Sequence, residues 1–360
     1  MTSPTPSPSS RPRASLRTSP ADFLVEELPA YAAQGEGLHL FVTFRKTGLD
    51  TPVAVRRIAD ALGLDPREAG FAGMKDRHAI TTQTASFFFP AERDPEEATA
   101  LVVEGVEILA ARRHPHKLKT GHLAGNRFTI VLRDLDPART PEILAALDEV
   151  KVQGVPNAFG GQRFGREGDN ADRGRKMLLG EIRPPRNKKQ QRFLFSAFQS
   201  RMFNEVLAAR EADGSWCRIL PGDVAQKHDS GGLFTVPLEG PELDDAVARS
   251  HAGQISPTGP MFGSKMRRAE GPVGELEAGV LAAALPDPSV LDAHQRLGRG
   301  TRRPLRIWVD ELSYDLDDAA RCLTVRFVLP KGAYATTVLS KTCELHDQSR
   351  NAVEPGGGQW

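Results

Sequence analysis

Cysteine is scarce in this chain: Cys217, Cys322 and Cys343 are the only three in 360 residues. An odd number at wide spacing excludes a disulfide framework and any C-x-x-C metal or redox motif, and it fits idle thiols in a reducing cytoplasm. Histidine clusters are lacking too. Only His114 and His116 sit close together, inside a basic run without neighbouring cysteines or carboxylates, so no zinc site is expected. No stretch approaches the roughly 18 consecutive apolar residues of a membrane span, and the N-terminus has no apolar core of the signal-peptide kind. Glycine-rich loops do not precede helices in the phosphate-cradling arrangement, which argues against a nucleotide cofactor. An excess of either charge is also missing, with 47 Lys and Arg against 46 Asp and Glu.

What is present is an ordinary soluble core and an uneven distribution of charge. Apolar residues make up 39% of the chain, enough for one large domain or two of ordinary size. Basic residues gather at Arg112–Lys119, Arg183–Arg192, Lys265–Arg268 and Arg299–Arg306, while acids gather between Asp94 and Glu107. Basic patches on a nearly neutral protein suit an anionic polymer touched along part of the surface. Each run taken alone is equally a solvated loop. Residues 1–20 are rich in Ser, Thr, Pro and Arg and carry no acid. The composition is that of a transit peptide, but the prolines oppose the amphipathic helix such a peptide needs, so a disordered basic tail is expected.

Strands are expected at 22–27 and 38–44, joined as a hairpin across Gly35-Glu36-Gly37. Asp50-Thr51-Pro52 opens a helix with Val53, Val55, Ile58, Ala59 and Leu62 on its apolar face, and Gly63 ends it. A charged loop, Gly73-Met74-Lys75-Asp76-Arg77-His78, leads into a strand at 80–89. Further strands are expected at 106–110 and 127–132, with a helix at 141–150. The texture changes near 155. A glycine-punctuated aromatic stretch, Pro156 to Gly165, is followed by helical patterns at 171–180 and 193–213, then by an irregular region; strand texture returns at 305–309 and 323–329. This is an α/β architecture of the α+β type, with one domain inserted into another.

Five segments together resemble the TruD family of pseudouridine synthases: Asp22-Phe23 with its strand, Phe71 to Gln83, Gly125-Asn126-Arg127-Phe128, Pro156 to Gly165, and Leu329 to Thr336. The resemblance implies a pseudouridine-synthase fold, a mixed and largely antiparallel sheet with a central cleft, over 21–155 and 305–350. An α/β domain peculiar to the family would occupy 156–304, and 351–360 would be a loose tail. It places the catalytic aspartate on Asp76 and substrate contacts on Phe23, Asn126 and Tyr334, the last usually phenylalanine. A basic partner of the aspartate falls on Arg17. The implied substrate is tRNA, with uridine 13 the usual bacterial target.

The chemistry suits these residue types. Isomerising uridine breaks the bond from N1 to the sugar and rejoins the base through C5, with no electrons gained or lost, so no cofactor is expected. One carboxylate must act at the sugar, either as a nucleophile on C1′ or by removing a sugar proton. The base must first leave its stack, and aromatic faces such as Phe23 and Tyr334 recover part of that cost. Asn126 is able both to donate to and to accept from a uracil edge. Read without the resemblance, Phe23 is a core residue, Asn126 a turn cap and Lys75-Asp76-Arg77 a solvated turn. Lys75, Arg77, Arg112, Arg113, Lys117, Lys119, Arg186, Lys188 and Lys189 are candidate contacts to the RNA backbone. A cytoplasmic monomer needing no membrane or protein partner is expected. Two other readings remain open, a non-catalytic RNA-binding protein with no use for Asp76, and a nucleoside or glycoside hydrolase, for which no second carboxylate stands out near Asp76.

Overall fold

Period-two alternation dominates the first third of the chain, and the computed structural model, which describes residues 11–165 and 167–350, turns it into strands. In chain order these are β1 (Arg13–Leu16), β2 (Phe23–Pro29), β3 (His39–Thr47), β4 (Gly70–Phe71), β5 (Ile80–Phe88), β6 (Val106–His114) and β7 (Leu123–Leu132). Helix α1 (Thr51–Leu62) follows β3, the short α2 (Glu96–Thr99) precedes β6, and α3 (Thr140–Gln153) follows β7. Next come β8 (Val155–Pro156), α4 (Asn170–Leu178), α5 (Lys188–Ala212), β9 (Val224–Lys227), β10 (Leu233–Thr235), α6 (Pro241–His251) and β11 (Ile255–Met261). They are followed by α7 (Gly271–Ala284), α8 (Val290–Ala293), β12 (Thr301–Pro304) and β13 (Arg306–Ile307). The last elements are β14 (Asp310–Asp317), β15 (Cys322–Pro330), α9 (Ala335–Thr342) and β16 (Glu344–Asp347).

The chain divides into two units. One is made of the described residues up to Val152 and from Val309 onward, the other of Gln153–Trp308. In the first, β14-β15-β7-β2-β5-β3-β6 form one sheet with β4 attached to β5. Every pairing in it is antiparallel except β2 with β5. The α+β class expected from the sequence therefore holds. The hairpin expected between β2 and β3 does not form, because β5 lies between them and takes both as partners.

The packing follows from the pattern. Leu40, Val42 and Phe44 of β3 point to one face, where Val55, Ile58 and Leu62 of α1 cover them together with Phe87. Burying each large apolar side chain contributes about 1.5–3 kcal/mol. Gly63 closes α1 at φ 66°, a left-handed cap that any β-carbon would strain. Val53, read as part of the apolar face, is instead exposed. In the second unit a four-stranded sheet, β10-β9-β11-β12, packs beside the long α5, whose Phe195, Phe198 and Met202 share a core with Leu281 and Leu285. Helix α5 starts five residues earlier than its apolar spacing suggests, because Asn187 caps it by accepting from Lys189 N.

The tail expectation needs correction. Ala14, Ser15 and Leu16 are buried, and β1 pairs in parallel with β16 in the register Arg13↔Glu344 to Leu16↔Asp347. A four-residue strand whose partner lies near the other end of the chain leaves almost no local signal among prolines and serines. Residues 1–10 and the C-terminal stretch 351–360 lie outside the described residues.

Candidate active site

Asp76 sits where the loop from β4 turns into β5. Its Oδ1 accepts from His78 N at 2.9 Å, a side-chain turn that sets the direction of the strand. Its Oδ2 lies 2.7 Å from Arg17 Nη2, and the carboxylate is about one-third exposed, so a substrate has access to it. Arg17 is mostly buried. Its other terminal nitrogen lies 2.5 Å from Asp347 Oδ2, and its guanidinium covers the ring of Phe23, 4.2 Å from the centroid. One arginine thus holds two carboxylates and an aromatic face at once, a task for a planar, forked cation. The residue adopts φ 56°, a left-handed backbone that costs on the order of 1 kcal/mol outside glycine. That turn, at the end of β1, swings the side chain toward the loop.

Asp347 is a carboxylate that the sequence did not single out. It is not poised as a second acid or base, for its Oδ2 is held by Arg17 and its Oδ1 accepts from Ser349 N and Oγ. It anchors the arginine.

The loop is fixed from behind as well. Thr51 Oγ1, on the first turn of α1, accepts from Lys75 N at 2.9 Å and donates to Gln83 Oε1 at 3.2 Å. Lys46 is fully buried at the end of β3, and its Nζ donates to the Asp76 carbonyl at 2.8 Å. Burial pushes its pKa down from 10.5 to about 8, against the pull of Asp76 and Asp50 and helped by Lys75. Lys46 lies on the same strand face as Leu40, Val42 and Phe44, so period-two counting along β3 was the signal that could have found it.

The remaining predicted residues are distributed as follows. Phe23 is 3% exposed, lies under Arg17 and meets Phe128 edge-on, so its ring supports the arginine and is no open platform for a base. The apolar start of β2 is simply part of the core. Asn126 lies on β7 between Glu27 and Leu329 in register, and its Oδ1 is buried without a hydrogen-bond partner, which leaves an acceptor for a ligand. Gly125 before it has no room for a side chain, since a β-carbon there would lie 2.3 Å from the Leu329 carbonyl. Tyr334 caps the start of α9 and is 53% exposed, so it offers an accessible ring.

Two of the proposed RNA contacts are internal. The side chain of Lys75 is buried, with Nζ 2.5 Å from Glu27 Oε2. Arg113 donates to the carbonyls of Gly37, Phe89, Pro90, Ala91 and Arg93 and ties down the loop after β5. Both are consumed by partners that charge counting along a sequence does not see. Arg77, Arg112 and Lys119 are exposed and Lys117 is half-buried, all in the first unit. Arg186, Lys188 and Lys189 are exposed in the second, the two lysines on the opening turn of α5. Arg163, in the glycine-punctuated stretch, binds the hydroxyls of Ser196 and Ser200 on that helix. No helix among the described residues is long and apolar enough to cross a membrane, and none of their His, Cys, Asp or Glu groups is arranged to hold a metal ion.

Comparison with known proteins gives the family. The family model described as tRNA pseudouridine synthase D (TruD) matches residues 9–184 and 186–342. A tRNA pseudouridine synthase D of Anaeromyxobacter sp. (strain Fw109-5) is 44% identical over 330 residues, covering 90% of this chain and 91% of that one. Its counterpart in Thermus thermophilus is 38% identical over 342 residues, covering 94% and 91%. A crystal structure from Methanosarcina mazei, described as a putative tRNA pseudouridine synthase D, superposes with a TM-score of 0.78 over 92% of this chain and 93% of that one. At 24% identity it bears on the fold alone. The chain belongs to the tRNA pseudouridine synthase D family.

Proposed function

We propose that this protein isomerises a uridine of tRNA to pseudouridine, at position 13, with Asp76 as the catalytic group and no cofactor. The ion pair of Arg17 with Asp76 carries the reading, because it sets an accessible carboxylate against a mostly buried guanidinium. In the nucleophilic route Asp76 attacks C1′ and the bond to N1 breaks, the uracil leaving with the electron pair. The base turns, C5 attacks C1′ and displaces the carboxylate, and the C5 proton is lost while N1 takes one up. In the elimination route the same carboxylate removes the C2′ proton as the bond to N1 breaks, giving a glycal and uracil; C5 then bonds to C1′ as the proton returns to C2′, and the C5 proton is lost while N1 takes one up. Tyr334 supplies a ring for the extruded base and Asn126 a polar edge. Incubating unmodified tRNA with the protein and mapping pseudouridine tests the reading. Modification at position 13 is the expected result; release of free uracil would mark a hydrolase, and no change in the RNA a binding protein.

Lys46 sets a limit on the pH range. Below pH 8 it is an ammonium and holds the Asp76 carbonyl by a charge-assisted bond; above that the charge is lost. An alkaline decline in kcat with an apparent pKa near 8 is expected. The effect on stability has the opposite sign. Between about 8 and 10.5 the unfolded chain keeps a proton that the folded protein releases, so stability rises with pH there. Lys46→Met removes the buried charge and is expected to lower kcat about tenfold, abolish the alkaline limb and leave Tm unchanged or higher. A pH–rate profile and a melt on the same samples check this.

The exposed residues at the start of α5 are proposed to touch RNA phosphates. Replacing Arg186, Lys188 and Lys189 together by alanine is expected to weaken tRNA binding and reduce the slope of log K against log salt by about two to three. An unchanged slope in a salt titration would remove this surface from the interface.

A further inference from the structure

After β2 the chain lays Tyr31, Ala32 and Ala33 across one face of the sheet, leaving a cavity of about 170 Å³. Phe41 and Leu118 contribute apolar lining, while Thr84, Arg112 and His122 add polar groups. The space exceeds a single water, whose share of the liquid is about 30 Å³, and falls well short of a drug-sized site of several hundred. It suits one flat ring.

The walls suit a nucleotide. Tyr31 is 37% exposed; its ring stacks on His114 at 5.2 Å and its hydroxyl is hydrogen-bonded to His122 Nδ1 at 2.7 Å, so it is held rigid. Arg112 is exposed and stands opposite Phe41 in the β3–β6 register. Glu27, the one acid in the lining, adds no bare negative charge, because Lys75 Nζ and Thr84 N both donate to it.

This cavity and the catalytic loop are joined. Ala72, at the head of the loop, packs with Phe41 and Leu118, and Lys75, the partner of Glu27, directly precedes Asp76. Through Ala72 and Lys75 the wall of this space is continuous with the loop that carries Asp76, so an RNA strand delivering a uridine there would bring a neighbouring nucleotide toward it. We propose that the cavity is a second nucleotide subsite, which takes an unstacked base flanking the target uridine, with Tyr31 as its stacking surface and Arg112 at its phosphate. The inference rests on the reading of the chain as a tRNA-modifying enzyme, and its test is separable from that reading.

The test is a binding cycle in the Asp76→Asn background, where turnover is expected to be too slow to change the RNA during the measurement. Labelled tRNA anticipated to be a substrate is compared with versions made abasic, one at a time, at nucleotides flanking the target. Tyr31→Ala is expected to weaken binding of intact tRNA about tenfold. One abasic position should weaken binding to the Tyr31 protein by a similar factor and cost the alanine variant nothing further, while Tyr31→Phe behaves like the parent. Additive losses at every position, or an unchanged affinity on Tyr31→Ala, overturn the subsite. Should the alanine variant fail to fold, Arg112→Ala is carried through the same set, where a loss of affinity without any drop in salt slope overturns the phosphate contact and the subsite with it. Pseudouridine mapping with the unaltered protein reports the underlying activity independently. Modification with additive binding losses sinks the subsite alone, whereas no modification sinks the enzyme reading.

Discussion

Asparagine in place of Asp76 is expected to reduce pseudouridine formation by at least about 10³-fold. The substitution is nearly isosteric. The amide oxygen still accepts from His78 N, so the turn into β5 survives. Thr51 and Lys46 still hold the loop through main-chain atoms. What disappears is the negative charge and the electron pair needed to attack C1′ or remove a sugar proton. Binding of tRNA should remain within a small factor, since the exposed basic groups are untouched. Single-turnover assays with saturating enzyme separate the two quantities. Full activity in this variant would dismiss Asp76 as the catalytic group.

Arg17→Met is expected to lower kcat by about ten- to a hundredfold, the range given by losing a hydrogen bond to a charged group of about 1.5–3 kcal/mol. Methionine keeps a flexible apolar cover over Phe23, so packing loss is limited, but Asp76 and Asp347 are left without their shared cation. Lysine should recover only part of the activity, because a point charge on a flexible stem does not span both carboxylates as a fork does. Asp347→Asn gives the complementary view. The arginine loses its anchor but keeps Asp76, so a smaller fall in kcat is expected with little change in KM. If Arg17→Met retained full kcat, the pair would be structural only.

The sequence declared its strands and the loop around Asp76 more readily than the use made of its charges. Alternation at Leu38–Phe44 and Ile80–Phe89 is a local property, and so is the turn built by Asp76 with His78. Arg113, by contrast, stands in a basic run that looks solvated, yet its guanidinium is occupied by five carbonyls from two other segments. Lys75 looks like part of a charged turn and is spent on Glu27. Phe23 is a suitable stacking ring by type but lies beneath Arg17. In each case the decisive partner is distant along the chain, and residue type carries no direction. Asp347 and β1 are the extreme instances, because nothing in either neighbourhood refers to the other.

The parallel pairing of β1 with β16 has a consequence for how the enzyme comes to life. The paired residues Arg13 and Glu344 lie 331 positions apart, so the pair closes by a non-local contact whose loop entropy is lost before the contact rewards it. Until β16 has paired with β1, Arg17 lacks its anchor at Asp347. A chain with most of its large sheet formed can therefore still lack the anchored arginine, and its activity in that state is expected to fall as it does in Asp347→Asn.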